Sequence, residues 1–230
     1  MKRKGFTLAE VLIVLGLIGV IAALTLPTFI SNNRNQANAT KLATTVNALE
    51  NAISAMLASD ATGDLTDTAF FEALSNSKYQ EAESELGKYF KINKRSETLT
   101  GLGYDSASPF RKFNTNTYWA PSYNTAFLTK NGAVVTFLNF GTKRENATTV
   151  GIATTYTPFI IYIDVNGTEK PNMAGRDVFG FSIADTGTLH AEGSKPYNYN
   201  RYGQNSDWKT YTSNCNYTSR LVENGYKVDY

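Results

Sequence analysis

The sequence predicts an α+β fold in which the outer half of one long N-terminal helix packs across an antiparallel β-sheet of about four strands. Three observations predict it. An apolar run from Phe6 to Leu26 gives way to a narrow apolar stripe at helical spacing. Asn131-Gly132 then separates two apolar segments, Ala126–Thr129 and Ala133–Phe140, the strongest short-range signal for a hairpin. Beyond Pro158 the β-branched and aromatic run Phe159-Ile-Ile-Tyr-Ile163 suits a buried strand. A helix laid on such a sheet shares one core between two layers.

The first element begins with the basic cluster Lys2-Arg3-Lys4, then Gly5, then the apolar run, which holds a single charge, Glu10. Roughly 20 residues at about 1.5 Å each match the apolar thickness of a bilayer. Cations just before the run keep the N-terminus cytoplasmic and send the rest of the chain outward. A cleavable secretory signal needs a shorter apolar region and an A-x-A cut site, which Ala22-Ala23-Leu24-Thr25 matches poorly. Glu10 is the unusual residue. A carboxylate in an apolar span costs about 2.5–3.5 kcal/mol even on lenient scales, so it implies a function and a partner. No Lys or Arg lies between Phe6 and Ile30, so no side chain of this segment is expected to supply that partner. A cut after Gly5 would create a cationic α-amine on Phe6, close to Glu10 on the same chain or a neighbouring copy.

Lys-Gly-Phe-Thr-Leu-Ala-Glu-Val at positions 4–11, followed by an apolar helix, resembles the type III signal of type IV pilins and type II secretion pseudopilins. The resemblance covers about 30 residues and implies a pilin-like fold. It implies that prepilin peptidase cuts between Gly5 and Phe6 and methylates Phe6, and that Glu10 binds the amine of an adjacent subunit during assembly. Gly16, Gly19 and Pro27 fall where that family places a glycine or a helix-breaking proline. The implied domains are a leader at 1–5, a transmembrane and assembly helix at 6–30, and a globular domain at 31–230 that includes the outer half of the helix. The implied partners are other copies, other pilins or pseudopilins, and the inner-membrane assembly platform. The membrane holds the chain before assembly, and the globular domain is periplasmic or displayed on a filament.

The outer half of the helix carries Leu42, Val46, Leu49, Ile53 and Met56 at alternating spacings of four and three, a stripe that belongs in a core. Pro27 should interrupt or kink the helix, with Ser31-Asn32-Asn33 loosening it further. Thr62-Gly63-Asp64 should end it. Thr66-Asp67 then reads as the cap of a short helix holding Phe70, Phe71 and Leu74, with a second short helix around Glu81–Phe90. Residues 93–125, punctuated by Gly101, Gly103, Pro109 and Pro121, read as a connection on the surface, and 141–151 as a polar loop. Asn166-Gly167 and Asp185-Thr186-Gly187 should be turns flanking a strand over Asp177–Ile183. The Tyr- and Asn-rich segment from Tyr197 reads as an exposed loop, and the end as a short helix stopped at Gly225 plus an extended piece.

Composition bounds the function. With 42% hydrophobic and 13% aromatic residues, 230 residues can build a core outside the membrane segment. Without Lys2, Arg3 and Lys4 the 22 basic residues become 19 against 20 acidic ones, which implies no strong field for nucleic acid. Stacking of DNA bases on the 197–217 segment, with Arg201, Trp208 and Lys209, is the weaker alternative. A single cysteine, Cys215, excludes an internal disulfide and reads as a small buried apolar residue or a link to another chain. His190, the one histidine, leaves little for a catalytic or zinc site, and no hydrolase, P-loop or zincin motif occurs, so no enzyme is expected. Asp164, Asn166 and Asp177 form the best candidate for a ligand. Hard cations want converging oxygens, and the resemblance raises calcium, yet the spacing fails the EF-hand pattern and an ordinary Asn-Gly turn is the competing reading. Function therefore divides between a structural filament subunit and a membrane-tethered minor or tip adaptor that binds DNA or a surface ligand.

Overall fold

The computed structural model describes residues 7–112, 116–119, 125–139, 159–192 and 217–228. Gly5, Phe6, Cys215, the 141–151 loop and the Tyr-rich segment up to residue 216 lie outside the described residues.

Helix α1 runs unbroken over Leu8–Ser59, 52 residues, with Pro27 inside it. The expected interruption at Pro27 is absent: the ring removes one donor, toward the carbonyl of Ala23, and the helix continues on both sides. The two halves differ in what surrounds them. From Leu8 to Ile30 every large apolar side chain is exposed, Leu8 at 78% and Leu24 at 74%. In the outer half Leu42, Val46, Leu49, Ile53 and Met56 are all buried, as their spacing predicts. The helix ends at Ser59, with Asp60 as its C-cap, just ahead of Thr62-Gly63-Asp64. Asp64 instead caps a 3₁₀ turn, Leu65–Asp67, by accepting from the Thr66 amide. Thr68, rather than Thr66-Asp67, caps α2 (Ala69–Ser75) through the Phe71 amide at 3.2 Å, and α3 (Tyr79–Gly87) follows.

The main sheet has six antiparallel strands among the described residues, two more than the sequence suggested. They are β1 (Ile92–Ser96), β4 (Thr125–Thr129), β5 (Val134–Asn139), β6 (Phe159–Asp164), β7 (Val178–Ile183) and β8 (Leu189–Ala191), in the order β1-β4-β5-β6-β7-β8. β2 (Phe110–Arg111) and β3 (Tyr118–Trp119) form a separate two-stranded ribbon. The strands added to the expected set are the two edges. β1 reads Ile-Asn-Lys-Arg-Ser, a polar sequence that pairs on one side only and suits an edge, where charge discourages further pairing.

The face of the sheet toward α1 contributes Phe127, Val135, Phe137, Ile161, Ile163, Phe179 and Phe181 to the main core, which α2, α3 and Leu221 of α4 (Tyr217–Glu223) complete. Phe137 meets Phe70 and Phe127 edge to face, at 5.5 and 5.7 Å between ring centres. The opposite face is also covered. Leu99, Leu102, Tyr104 and Phe110 pack there on Ala126, Val134 and Val178. Residues 93–96 are thus part of the sheet, and Leu99, Leu102, Tyr104 and Phe110 form a second core layer over it, where a surface connection was expected. These apolar residues recur at irregular intervals because the chain folds through turns, so no single period reveals the burial.

Gly187 shows how closely α1 is seated. Its φ of +83° suits glycine, and a Cβ there would lie 2.5 Å from Ile53 Cγ2 and 3.2 Å from Leu57 Cδ1. Gly187→Ala is therefore expected to destabilise the folded chain by about 2 kcal/mol or more through strain and overpacking. Gly63→Ala, where a Cβ meets nothing within 4 Å, should stay within about 0.5 kcal/mol of the parent. Urea unfolding followed by circular dichroism checks both, and equal effects would refute this seating.

Candidate functional site

Two places concentrate chemistry: the start of α1, and the β6–β7 loop where it meets the outer half of that helix.

At the start of α1, Thr7 and Glu10 form a reciprocal capping box. The Thr7 amide and hydroxyl each donate to Glu10 Oε2 at 2.8 Å, and the Glu10 amide donates to Thr7 Oγ1 at 3.3 Å. The carboxylate thus has partners in its own segment, which corrects the expectation that none would be found there. The search for cations missed them because hydrogen-bond donors, not charges, do the work. The signal was present: Thr7-Leu-Ala-Glu10 fits the S/T-x-x-E pattern. This box satisfies donors that every helix N-terminus leaves open, and it places an anion at the positive end of the helix dipole. It supplies no cation, so the charge remains uncompensated within residues 7–30. Gly16 and Gly19 stand on the exposed half of α1, and a Cβ at either would meet nothing within 4 Å. Thr25 returns its hydroxyl to the Ile21 carbonyl at 2.9 Å, so it leaves no hydroxyl idle in the apolar stretch.

The loop after β6 brings Asp164, Asn166 and Asp177 together, as their proximity in sequence suggested. Asp164 and Asp177 are fully buried. Tyr104 donates its hydroxyl to Asp164 Oδ2 at 2.8 Å, and the Asn166 amide donates to Oδ1 at 3.3 Å. Asp177 accepts from the amides of Asn172 (3.0 Å) and Met173, and from Asn166 Nδ2 (3.3 Å). Burial, and then the adjacent Asp177 carboxylate, hold Asp164 well above the usual carboxylate range. Burial pushes Asp177 up to about 6 against the donors of Met173, Asn172 and Asn166. Calcium calls for six to eight oxygens turned toward one point. Here the oxygens of both carboxylates are turned to N–H and O–H groups, and only the buried Oδ1 of Asn166 lacks a partner. As folded, this donor set does not fit a calcium shell; it fits a hydrogen-bonded loop.

That loop is fastened to α1. Arg34 Nη2 donates to the Lys170 carbonyl and lies 3.6 Å from the Glu169 carboxylate, and Asn38 Nδ2 donates to the Arg176 carbonyl at 3.4 Å. Nearby, Asn131 Nδ2 donates to Thr45 Oγ1 at 3.1 Å, so the β4–β5 turn grips the same helix. The two Asn-Gly turns touch each other: Gly167 has φ +66°, and a Cβ on it would lie 2.9 Å from the Gly132 carbonyl oxygen. Two further ionisable groups deserve placing. His190 lies on β8 with its pKa lowered by burial, and buried Glu192 just beyond it is pushed up to about 7 by burial, opposed by a hydrogen bond from Tyr162.

Residues 1–26 match the family model of the prokaryotic N-terminal methylation motif. The chain carries a prepilin-type N-terminus. No curated protein and no solved structure matches the chain. The motif marks a type IV pilin-like or pseudopilin precursor, and the long helix with its antiparallel sheet fits a pilin-like fold. The apolar, exposed first half of α1 fits anchoring of this prepilin-type chain in a membrane before assembly.

The buried carboxyls fix a pH dependence. A carboxyl whose folded pKa is raised favours the folded state below its unfolded pKa, and that contribution is lost as pH rises through the folded value. The window is therefore about pH 4 to 6 for Asp177 and about pH 4.5 to 7 for Glu192. Asp177→Asn is expected to take one group's share out of the slope between pH 4 and 6, about 3 kcal/mol across that window, whatever it does to absolute stability. Urea unfolding across pH 4–8 reads this directly, and an unchanged slope in the variant would refute it.

Proposed function

We propose that this chain is a structural subunit, a pilin or pseudopilin, of a type IV pilus-like or type II secretion filament. The observation that carries the reading is the half-helix Leu8–Ile30, apolar and exposed on every side, which bears one carboxylate and is continuous with a buried outer half. Lipid satisfies such a surface before assembly, and neighbouring copies of the same helix satisfy it afterwards. Gly16 and Gly19 support this. In a helix interior glycine costs about 1 kcal/mol relative to alanine, and no contact within the chain requires its small size here. Close approach of a neighbouring helix would use that space.

In this reading prepilin peptidase cuts between Gly5 and Phe6 and methylates the new amine of Phe6. The chain waits in the inner membrane with its N-terminus cytoplasmic and its remaining residues, 31–230, outside. Glu10 then takes a cationic partner from the Phe6 amine of the next copy. Thr7 holds the carboxylate in the meantime and keeps it turned toward the N-terminal end of the helix. Copies added through this contact form a heterologous interface that does not close on itself, which yields a fibre.

Two variants test the reading. Glu10→Ala should insert in the membrane at normal levels and give at least about tenfold fewer fibres, the loss expected when one partner of a desolvated charge pair is removed. Normal fibres from it, counted by electron microscopy, would reject the mechanism. Gly5→Ala should leave the precursor uncut, and intact-mass measurement of a shortened chain from that variant would reject the assigned cut.

A further inference from the structure

The height of the globular part above the exposed apolar half of α1 can be counted in residues. That apolar surface ends at Ile30, and the stretch that follows, Ser31-Asn32-Asn33-Arg34-Asn35-Gln36, is polar. Two segments of the domain reach down to it. Arg34 Nη2 donates to the Lys170 carbonyl, which draws the tip of the β6–β7 loop to the level of Arg34. Gln36 Nε2 donates to the Tyr226 carbonyl at 3.1 Å, which draws the segment after α4 to the level of Gln36. Helical side chains lean toward the helix N-terminus, here toward Ile30, so neither contact lies much higher than its own residue. The helix is unbroken in this region, and at about 1.5 Å per residue Arg34 stands about 6 Å and Gln36 about 9 Å beyond Ile30.

A bilayer gives those heights a meaning. Its hydrocarbon core is about 30 Å thick and the whole, headgroups included, about 40–45 Å, which leaves about 5–8 Å of headgroup layer on each side. With Ile30 at the edge of the hydrocarbon, the tip of the β6–β7 loop stands inside that layer and the Tyr226 segment at its outer limit. The side chains there suit such a place. Thr168, Glu169, Lys170 and Lys227 are exposed. Arg34 lies 3.6 Å from the Glu169 carboxylate and Lys170 Nζ 3.7 Å from that of Asp105, and exposed Glu223 precedes Lys227 by one helical turn. A rim of both signs matches a layer of phosphates and amines, and it creates no one-signed field for a polyanion.

We propose that, while a bilayer holds Leu8–Ile30, the tip of the β6–β7 loop and the segment from Tyr226 to Val228 seat in the phospholipid headgroup layer on the domain's side. Lys170 and Lys227 lay their stems along that layer and bring their amines to lipid phosphate, and Glu169 faces the lipid amines. This rests on the membrane-held stage of the proposed function, and it is the same for either orientation of the chain. Lipid is the occupant because the depth follows from the helix itself, whether or not a second copy is present. The contacts that fasten the domain to α1 thereby set how high it stands. Entry into a filament then requires the rim to leave the headgroups together with the helix.

The test uses the full-length chain in vesicles of phosphatidylethanolamine and phosphatidylglycerol. The photo-crosslinking residue p-benzoylphenylalanine replaces Leu24, Thr168, Lys227 or Ala58, one at a time, and mass measurement after illumination reads the lipid adducts. Ala58 is exposed on the same helix about 42 Å beyond Ile30 and serves as the distant reference. Thr168 and Lys227 are each expected to give at least about tenfold more lipid adduct than Ala58, with Leu24 giving adduct throughout. Seven polar, helix-forming residues inserted after Ser31 raise the domain by about 10 Å at nearly the same rotation, and should lower the adduct at Thr168 at least about fivefold while leaving Leu24 unchanged. Adduct at either rim position no higher than at Ala58, with Leu24 still positive, overturns the proposal and leaves membrane anchoring standing. Crosslinking of the rim to a second copy in place of lipid, or adduct that the insertion does not lower, overturns it in the same way. Failure of Leu24 to give lipid adduct refutes the membrane-held stage itself, and the proposal falls with it.

Discussion

The half of α1 from Leu8 to Ile30 has no apolar partner in its own chain, and the rest of the molecule is built around that condition. Fully burying one Leu or Ile side chain is worth about 1.5–3 kcal/mol, so a helix that exposes such residues on every side is a large unspent attraction. Water cannot satisfy it. A bilayer can, and so can parallel copies of the same helix. The single charge in the stretch follows the same logic. Thr7 supplies hydrogen bonds to Glu10 but no positive charge, so the isolated chain is tolerable in the membrane and still short of its best state.

Because α1 is one uninterrupted helix, its exposed inner half is joined without a break to the outer half that the globular part buries. The fold secures that coupling at three heights. The β6–β7 loop holds Arg34 and Asn38, the β4–β5 turn holds Thr45, and the β7–β8 turn closes on Ile53 and Leu57 at Gly187. The loop that grips the helix nearest its exposed apolar half is also the one that holds Asp164 and Asp177. Burying two carboxyl groups is costly, and six hydrogen-bonding donors or turn amides make it tolerable.

At the β1 edge of the sheet, Lys94 and Arg95 discourage strand addition. Both sheet faces are covered by their own cores.

Much of this was readable in the residues themselves. The apolar run, the isolated Glu10, the stripe from Leu42 to Met56, the hairpin at Asn131-Gly132 and the buried strand at Phe159–Ile163 each follow from local periodicity, and each stands in the structure where its pattern put it. Even the capping box was visible as Thr7-Leu-Ala-Glu10. Other features depended on partners distant in sequence. The polar edge strand β1 exists because β4 accepts it, and Leu99, Leu102, Tyr104 and Phe110 form a core only because a sheet lies beneath them. The continuity of α1 through Pro27 and the closure of both aspartates by amide and hydroxyl donors belong to the same class. Period and propensity report what a segment does with its own neighbours; burial of irregular segments and the saturation of buried carboxylates are settled by groups up to some hundred residues away, which only the assembled chain brings within hydrogen-bonding distance.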